Sequence, residues 1–211
     1  MTNTPNKSAE KFWDELYARH NRIWSGRANV PLVNAVESLQ PGTALDLGCG
    51  EGGDAVWLAQ HGWQVTATDV STVALARANQ LAAEQGVQDR IDFQQHNFAI
   101  GFPTGMYDLV SAQYLQSPLE DFQRTKVLQK AAAVVAPGGL LLIVEHAAAP
   151  PWSDHVHDHF PTPQETFDSL VLDSMQWQAK LVDALDRHTV GPDGKKATIK
   201  DNVIIVRRRK V

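Results

Sequence analysis

Short apolar runs alternate along the chain with longer stretches in which apolar residues recur every three or four positions. The runs at 43–47, 64–69 and 90–95 predict buried strands, and the stretches between them predict helices. A fourth strand is predicted at 107–112, and the continuous apolar run 140–144 is typical of a strand buried on both faces. Because strands alternate with helices, the pattern predicts parallel βαβ crossovers.

The two ends of the chain follow other patterns. Apolar residues at helical spacing after Ser8 and from 31 to 39 predict an N-terminal helical segment over residues 1–40. Near the other end, 177–190 and 197–208 resemble strands on either side of a Gly-Pro-Asp-Gly turn. They predict an antiparallel hairpin.

The region before the hairpin contains two predicted helices and a loop. The first helix leads to the Pro-Gly-Gly sequence at 137–139. Its apolar stripe consists of Val127, Leu128, Ala131, Val134 and Val135. A lid-like loop is predicted at 147–161, and Thr162 and Glu165 have the spacing of a capping box that opens the second helix.

Together these elements predict an α/β fold. We expect a doubly wound, Rossmann-like, mostly parallel seven-stranded sheet with helices on both faces and a C-terminal antiparallel β-hairpin at 177–208. A length of 211 residues and a hydrophobic content of 43% allow one sizeable core. Residues 1–211 are therefore predicted to form a single domain.

Charge and composition narrow the classes of partner. The formal net charge of −5 gives no general attraction to phosphate backbones, and the basic run 207–210 is interpreted as a solvated end. Cys49 is the only cysteine, which excludes an intrachain disulfide. The sequence contains no signal-peptide core and no apolar stretch of membrane-spanning length. We therefore expect a cytoplasmic monomer or homodimer with no nucleic-acid or membrane partner.

A glycine-rich loop follows the first predicted strand. Gly48, Gly50 and Gly53 let the backbone turn tightly and let a ligand approach the main chain, while the next helix presents free N–H groups. Asp69 ends the second strand, twenty-three positions beyond Asp46, where a carboxylate can accept both hydroxyls of a ribose. Dinucleotide-binding loops share this glycine spacing, so a nicotinamide cofactor remains an alternative at this point.

Residues 45–52, LDLGCGEG, resemble the first motif of the class I S-adenosylmethionine-dependent methyltransferases, in which an acid precedes the first glycine by two positions, as Asp46 does here. Residues 107–112 and 135–142 resemble the fourth and fifth strand regions of that family. The resemblance covers residues 43–145, which we interpret as the cofactor-binding core. In this family an antiparallel seventh strand is inserted beside the sixth, in agreement with the predicted hairpin.

The resemblance implies S-adenosyl-L-methionine as the cofactor and S-adenosyl-L-homocysteine as its product. The implied cofactor-binding residues follow or end the first four strands, and they are Asp46, Gly48, Cys49, Gly50, Asp69, Val70, Asn97, Phe98 and Gln113. Asp46 would lie near the cofactor ammonium and Asp69 would hold the ribose hydroxyls. Val70 would pack on the adenine. The family usually has an acid where this chain has His96-Asn97.

Two N-terminal segments, 12–17 and 24–27, are more loosely similar to small tellurite-resistance and thiopurine-type methyltransferases. Arg27 in the second segment would reach the cofactor carboxylate, since a guanidinium forks onto a carboxylate. A surface arginine is the alternative interpretation.

Two further residues are candidates for catalysis. Methyl transfer from a sulfonium needs no metal, and a general base matters only when the acceptor must lose a proton. His146 ends the fifth predicted strand and Tyr114 follows the fourth, at the end of the sheet where ligands bind. A structural role is the alternative for His146. His155, His157 and His159 alternate within the 147–161 loop, where we expect a polar lid rather than a metal site.

The sequence therefore predicts an enzyme that moves a methyl group from S-adenosylmethionine to a small-molecule acceptor by in-line displacement. An NAD(P)-dependent oxidoreductase is the second interpretation, and it would require a sheet that continues in parallel instead of closing with a hairpin. A non-catalytic module that binds a nucleoside cofactor is the third.

Overall fold

The computed structural model describes residues 8–153, 160–191 and 193–210. Seven strands are described. Residues 91–95, 64–69 and 43–47 are neighbouring strands in that order, and so are 107–113, 135–146, 196–208 and 177–190. The chain divides into two compact units. One contains the residues up to Gly105 together with Ser117–Gln123, and the other contains Met106–Gln116 and the residues from Arg124 onward.

The first unit contains three parallel strands, four helices and one 3-10 turn. Its strands are β1 (Thr43–Leu47), β2 (Gln64–Asp69) and β3 (Ile91–Gln95). Its helices are α1 (Ala9–Ala18), α2 (Val30–Val36), α3 (Gly53–Gln60) and α4 (Thr72–Glu84), and the turn is Gln88–Arg90. The two predicted strand-helix units are confirmed, and Ser8 caps α1 by accepting a hydrogen bond from the amide of Lys11 at 3.3 Å.

The second unit combines two parallel strands with an antiparallel hairpin. Its elements are β4 (Tyr107–Gln113), α5 (Arg124–Ala133), β5 (Val135–His146), α6 (Pro163–Ser169), β6 (Trp177–Val190) and β7 (Lys196–Arg208). β5 is parallel to β4 and antiparallel to β7, which is itself antiparallel to β6. The predicted hairpin is confirmed, and the sheet does not continue in parallel as the oxidoreductase interpretation requires.

Several element boundaries differ from the sequence prediction, and two of them affect residues named above. Val135, assigned to the helical stripe, begins β5 instead, because it lies opposite Tyr107 in the parallel ladder and the preceding carbonyl accepts the Tyr107 amide at 2.9 Å. An apolar residue fits either element, so the spacing alone could not separate them. Gln113, expected to follow β4, is its last residue.

The predicted apolar strands are buried. Leu45 and Leu47 of β1 have no exposed surface, and neither has any side chain between Leu141 and Val144 of β5. The lid prediction for 147–161 falls largely on residues 154–159, which lie outside the described residues together with His155, His157 and His159. Among the helices described, none has the length and apolar character that crossing a bilayer requires.

Asp14 of α1 is bound to the start of α4. Its carboxylate accepts hydrogen bonds from Ser71 Oγ at 2.6 Å, from Thr72 Oγ1 at 2.9 Å and from the amide of Val73 at 3.2 Å. Burial acts to raise the pKa of Asp14, but these hydrogen bonds outweigh it and hold the pKa below its ordinary value. The carboxylate thus attaches α1 to the N-terminal end of α4, where the helix dipole favours negative charge.

We expect Asp14→Asn to lower the melting temperature at neutral pH, with a loss of about 0.3–1 kcal/mol, the value typical of a negative charge at a helix N-terminus. Because folding lowers the pKa of Asp14, its contribution is fully present above the unfolded value near 4 and is lost as the pH falls through the folded value. Melting curves at neutral pH and at about pH 3 measure this. A difference of the same size at both pH values would contradict a contribution from the charge.

Candidate functional site

The glycine loop is bent onto the end of β2. The amides of Gly48 and Cys49 both donate to the carbonyl of Thr68, at 2.8 and 2.9 Å. The amide of Gly50 donates to Oδ2 of Asp69 at 3.0 Å. Gly50 and Asp69 are 19 positions apart in the sequence. The glycine loop and the acid that ends β2 therefore meet within the first unit.

Three glycines of the loop have a backbone conformation that other residues rarely adopt, with φ values of 70° at Gly48, 51° at Gly50 and 86° at Gly52. A Cβ on Gly50 would lie 3.0 Å from the Tyr17 hydroxyl and 3.4 Å from the Trp24 ring, and a Cβ on Gly52 would lie 2.8 Å from Cβ of Ala78. The positive φ and the close packing together explain why glycine is found at these two positions.

The Asp69 carboxylate is buried and already fixed by main-chain donors. The residue is 7% exposed, and its Oδ1 accepts the amide of Ser71 at 2.9 Å. Burial raises the pKa of Asp69, against the hydrogen bonds from Ser71 and Gly50. Each carboxylate oxygen has two acceptor sites, so both oxygens keep the capacity to accept a ligand hydroxyl.

Asp46 at the end of β1 is the most unusual acid of the first unit. It is 2% exposed, and its Oδ2 is buried without a hydrogen-bond partner among the described residues. Burial raises its pKa well above the ordinary value, and the charges of Asp54 and Asp69 add to the effect. A buried carboxylate oxygen without a donor fits a ligand that brings a cationic group.

Asp54, at the start of α3, differs from Asp46 because both of its oxygens have partners. Oδ1 accepts the amide of Asn29 at 2.7 Å, and Oδ2 accepts Nδ2 of the same residue at 2.8 Å. Burial raises its pKa, although the hydrogen bonds from Asn29 oppose this. Asp54 therefore connects α3 to the N-terminal segment and is not a free acceptor for a ligand.

Glu51 attaches the N-terminal segment to the loop. Its Oε2 accepts the amides of Ile23 at 3.0 Å and Trp24 at 2.9 Å, and its Oε1 accepts Nη1 of Arg77 at 2.8 Å. The side chain is 2% exposed, so these three donors satisfy a fully buried charge. A role for Glu51 was not predicted from the sequence, because its backbone partners lie 27 and 28 positions earlier.

Two aromatic residues lie beside the loop, Trp24 in the segment that Glu51 holds and Tyr17 in α1. Trp24 Nε1 donates to the Tyr17 hydroxyl at 3.2 Å, and both rings lie within contact distance of the position of a Cβ on Gly50. Trp24 is 56% exposed, so it is not a core residue. Burial raises the pKa of Tyr17 and keeps its hydroxyl protonated. Arg27 is exposed, and its reach to a cofactor carboxylate stays a prediction.

The remaining predicted cofactor residues of the first unit have mixed environments. Phe98 is 7% exposed, and its ring centroid lies 5.7 Å from that of Phe102. Asn97 is half-buried, and its Oδ1 accepts the amide of Ala99 at 3.0 Å. Val70 is half-buried. Burial raises the pKa of Cys49 well above its ordinary value, which agrees with a packing role for the thiol.

In the second unit, His146 and Tyr114 belong to a cluster around a buried acid. The side chain of Asp201 is 2% exposed, and Nδ1 of His146 lies 3.4 Å from its Oδ1. The Tyr114 hydroxyl donates to Oδ2 at 2.8 Å, and Arg187 binds the same carboxylate through Nε and Nη2. The rings of Tyr114 and His146 are 4.6 Å apart. Neither Asp201 nor Arg187 was predicted from the sequence to belong to a site.

Tyr114 also has an unusual backbone. Its φ is 51°, although it is not a glycine, and its amide donates to the carbonyl of Val144 at 2.7 Å. Such a conformation costs about 1–3 kcal/mol and is retained where the surroundings hold it in place. Gln113 before it is buried and donates to Ser111 Oγ at 3.0 Å, while its own Oε1 has no partner among the described residues.

A second buried acid lies on the opposite side of β5. Glu145 pairs with Arg124 at 2.5 Å and accepts hydrogen bonds from Thr166 Oγ1 at 2.6 Å and Asn202 Nδ2 at 3.1 Å. It thus fixes the starts of α5 and α6 against the end of β5. Within the described ranges, no group of three or more His, Cys, Asp or Glu residues is arranged to hold a metal ion.

Comparison with known proteins agrees with this fold. A family model described as a methyltransferase domain matches residues 44–139. A ribosomal RNA small subunit methyltransferase C from Alcanivorax borkumensis is 34% identical over 158 residues, which cover 70% of this chain and 46% of the relative. A probable chloroplastic tocopherol O-methyltransferase from Oryza sativa subsp. japonica is 36% identical over 107 residues, covering 50% of this chain and 29% of the relative.

Solved structures share the fold across nearly the whole chain. A structure reported for the conversion of a disulfide bond into a thioacetal group during echinomycin biosynthesis has a TM-score of 0.72 at 21% identity, covering 95% of this chain and 93% of that one. At that identity the likeness shows the fold alone. The chain spans less than half the length of the two curated relatives named above. The matched methyltransferase domain, the glycine loop with Asp46 and the hairpin support a class I S-adenosylmethionine-dependent methyltransferase, a family whose cofactor is S-adenosylmethionine.

Proposed function

We propose that this protein transfers the methyl group of S-adenosylmethionine to a small-molecule acceptor. The observation that carries the proposal is the buried Oδ2 of Asp46, which has no hydrogen-bond partner within the described part of the chain and lies beside a loop of glycines with positive φ. A nicotinamide dinucleotide has no ammonium group for such an oxygen, whereas the methionine part of this cofactor has one. The cofactor supplies an activated methyl group on a positively charged sulfur.

The residues of the first unit are assigned by the chemistry each can offer. Asp46 would accept the ammonium group, and Asp69 would accept the ribose hydroxyls at the acceptor sites that Gly50 and Ser71 leave free. Gly48 and Gly50 would allow the methionine part to lie against the main chain. The remaining predicted cofactor contacts, Cys49, Val70, Asn97, Phe98, Gln113 and Arg27, keep their proposed roles.

The acceptor is proposed to be a small molecule for two reasons. The formal net charge of −5 gives no long-range attraction to a polyanion, and a relative named as a tocopherol methyltransferase acts on a small molecule. Methylation of ribosomal RNA is the second candidate, because the relative from Alcanivorax borkumensis is named for it. Transfer of a radiolabelled methyl group to total RNA, with and without ribonuclease, separates the two.

Titration calorimetry with S-adenosylmethionine and S-adenosylhomocysteine tests the cofactor assignment. We expect both to bind and NAD(P) to give no heat. If neither sulfur compound gave a heat of binding or a shift in melting temperature, the proposed function would be refuted. Binding without transfer to small acceptors or RNA would leave only a cofactor-binding module.

Asp69→Ala is expected to weaken binding of S-adenosylhomocysteine by about 1.5–3 kcal/mol, since a hydrogen bond to a charged group has that value. Asp92→Ala is the matched control, because Asp92 is an exposed acid on the neighbouring strand β3. The dissociation constants of the two variants are measured by calorimetry. An affinity of Asp69→Ala equal to that of the control would refute the ribose assignment.

A further inference from the structure

We propose that Asp201 fixes His146 as a base, and that the methyl acceptor is therefore a hydroxyl or amine compound whose nucleophilic atom carries a proton to be removed. This inference rests on the proposed methyl transfer. The cluster lies where β5 ends and just after β4 ends, and doubly wound sheets bind their ligands outside the carboxyl ends of parallel strands.

The strands bring the three side chains together by register. His146 of β5 lies directly opposite Asp201 of β7 in the antiparallel ladder, and directly opposite residues have neighbouring side chains on one face. On the other side of β7, Leu185 of β6 lies opposite Asp201, and Arg187 is the diagonal neighbour two positions further. The cluster is thus built from the sheet itself and not from mobile loops.

The position of Asp201 favours a proton on one particular ring nitrogen of His146. Asp201 is an ionised acceptor, since burial would raise its pKa but His146, Arg187 and Tyr114 beside it outweigh burial and lower it. The ring nitrogen nearest to this carboxylate is Nδ1, which lies 3.4 Å from Oδ1, is buried, and has no hydrogen-bond partner among the described residues. A proton on Nδ1 leaves the lone pair of the neutral ring on Nε2. The side chain is 30% exposed, so a ligand can reach part of it.

The charged groups around His146 favour a role as a base over a purely structural role. Within the described part of the second unit, the groups that face it are Asp201 from β7, Tyr114 after β4 and Arg187 from β6, whose Cζ lies 5.6 Å from the Tyr114 ring. Glu145 is adjacent in β5 and therefore points to the opposite face. Arg187 compensates the negative charge of Asp201, while Tyr114 donates to it and holds its orientation.

The proposed reaction is an in-line methyl transfer coupled to the removal of a proton from the acceptor. The oxygen or nitrogen of the acceptor forms a bond to the methyl carbon, the carbon–sulfur bond breaks with its electron pair remaining on sulfur, and the acceptor proton passes to Nε2 of His146. Asp201 then faces the imidazolium. An acceptor that is already an anion, such as a thiolate, would not need this base.

The first test measures the tautomer of His146 and needs no acceptor. Protein labelled with ¹⁵N-histidine is compared as wild type, Asp201→Asn and Arg187→Gln, and the His146→Gln spectrum assigns the signal among eight histidines. We expect the neutral ring to be protonated mainly on Nδ1 in the wild type and in Arg187→Gln. In folded Asp201→Asn this preference should be lost. Asp186→Asn is the matched control, because Asp186 lies on the same hairpin but pairs with Lys200.

A wild-type ring protonated mainly on Nε2, or a preference unchanged in Asp201→Asn, would overturn the proposal. If Asp201→Asn fails to fold, the wild-type and Arg187→Gln tautomers still decide it. Cofactor calorimetry on the same samples tests the proposed function separately. The tautomer of His146 is measured without cofactor, so it can contradict the role of Asp201 whether or not the cofactor binds.

The second test uses matched acceptors, a panel of substituted phenols and primary amines beside thiophenols that are ionised at neutral pH. We expect transfer to phenols or amines to fall at least about 100-fold in His146→Gln and in Asp201→Asn, as for loss of a general base. Transfer to a thiophenol should change little. Transfer confined to thiophenols, equal losses for both classes, or no transfer to any phenol or amine by cofactor-binding protein would overturn the acceptor class.

Discussion

Asp46→Asn is expected to change stability and cofactor affinity in opposite directions. The substitution keeps the shape of a side chain that is 2% exposed and removes its charge. Cofactor affinity should fall by about 3 kcal/mol, roughly 100-fold, as when one partner of a buried charge pair is removed. The free protein should melt at a higher temperature at neutral pH, because an ionisable group with a raised pKa no longer has to be buried.

The pH dependence of this stability change has a defined sign. Folding raises the pKa of Asp46, so the group contributes no penalty below its unfolded value near 4 and an increasing one as the pH rises toward its folded value. The melting temperatures of wild type and Asp46→Asn should therefore converge as the pH falls toward about 4 and separate above it. Asp14, whose pKa is lowered by its hydrogen bonds, gives the opposite sign.

Proton release provides an independent measurement. If the cofactor ammonium pairs with an ionised Asp46, binding lowers the raised pKa of this carboxyl, and a proton is released over the pH range in which the free protein still holds it. Calorimetry in two buffers of different ionisation enthalpy measures this proton, and Asp46→Asn should release fewer protons than the wild type. Asp92→Asn, on an exposed side chain, is the control for both measurements. Wild-type affinity in Asp46→Asn would contradict the role given to this oxygen.

The strands near the glycine loop could be predicted to the residue because their boundaries are chemically sharp. β1 and β2 are short apolar runs that end at a glycine loop and at an acid, and the structure gives the same bounds. The start of β5 could not be predicted this way. Val135 continues the apolar helical spacing, and only its pairing with Tyr107, made by a different element, assigns it to the strand.

The same distinction applies to the site. Asp46, Gly50 and Asp69 were selected because the loop motif and the strand end identify them within one stretch of sequence. Asp201 pairs with Tyr114, 87 positions earlier, and its only local sign is an acid at the edge of the apolar run of β7. A buried acid in a strand needs partners, so this sign could have prompted a search for a cation. It could not have identified Arg187.

The second large effect is expected for Glu51, because this side chain holds residues 23 and 24 of the N-terminal segment against the glycine loop. Glu51→Ala removes the acceptor of Ile23, Trp24 and Arg77 at once. Breaking a buried ion pair by removing one partner costs about 3 kcal/mol or more, and here two main-chain amides lose their acceptor as well. Urea unfolding should therefore give a free energy of unfolding lower by about 3 kcal/mol than in the wild type.

Hydrogen exchange distinguishes loss of this attachment from general destabilisation. In Glu51→Ala the amides of Ile23 and Trp24 should exchange much faster, while Leu45 in β1 keeps protection limited only by global unfolding. Glu51→Gln is the matched control, because an amide oxygen can still accept from the two amides although the charge facing Arg77 is lost.

Cofactor affinity should fall more in Glu51→Ala than in Glu51→Gln, since Trp24 and Tyr17 contact Gly50 only while the segment is held. Equal protection of residues 23 and 24 in both variants would show that another contact holds the segment, and that Glu51 serves the loop alone.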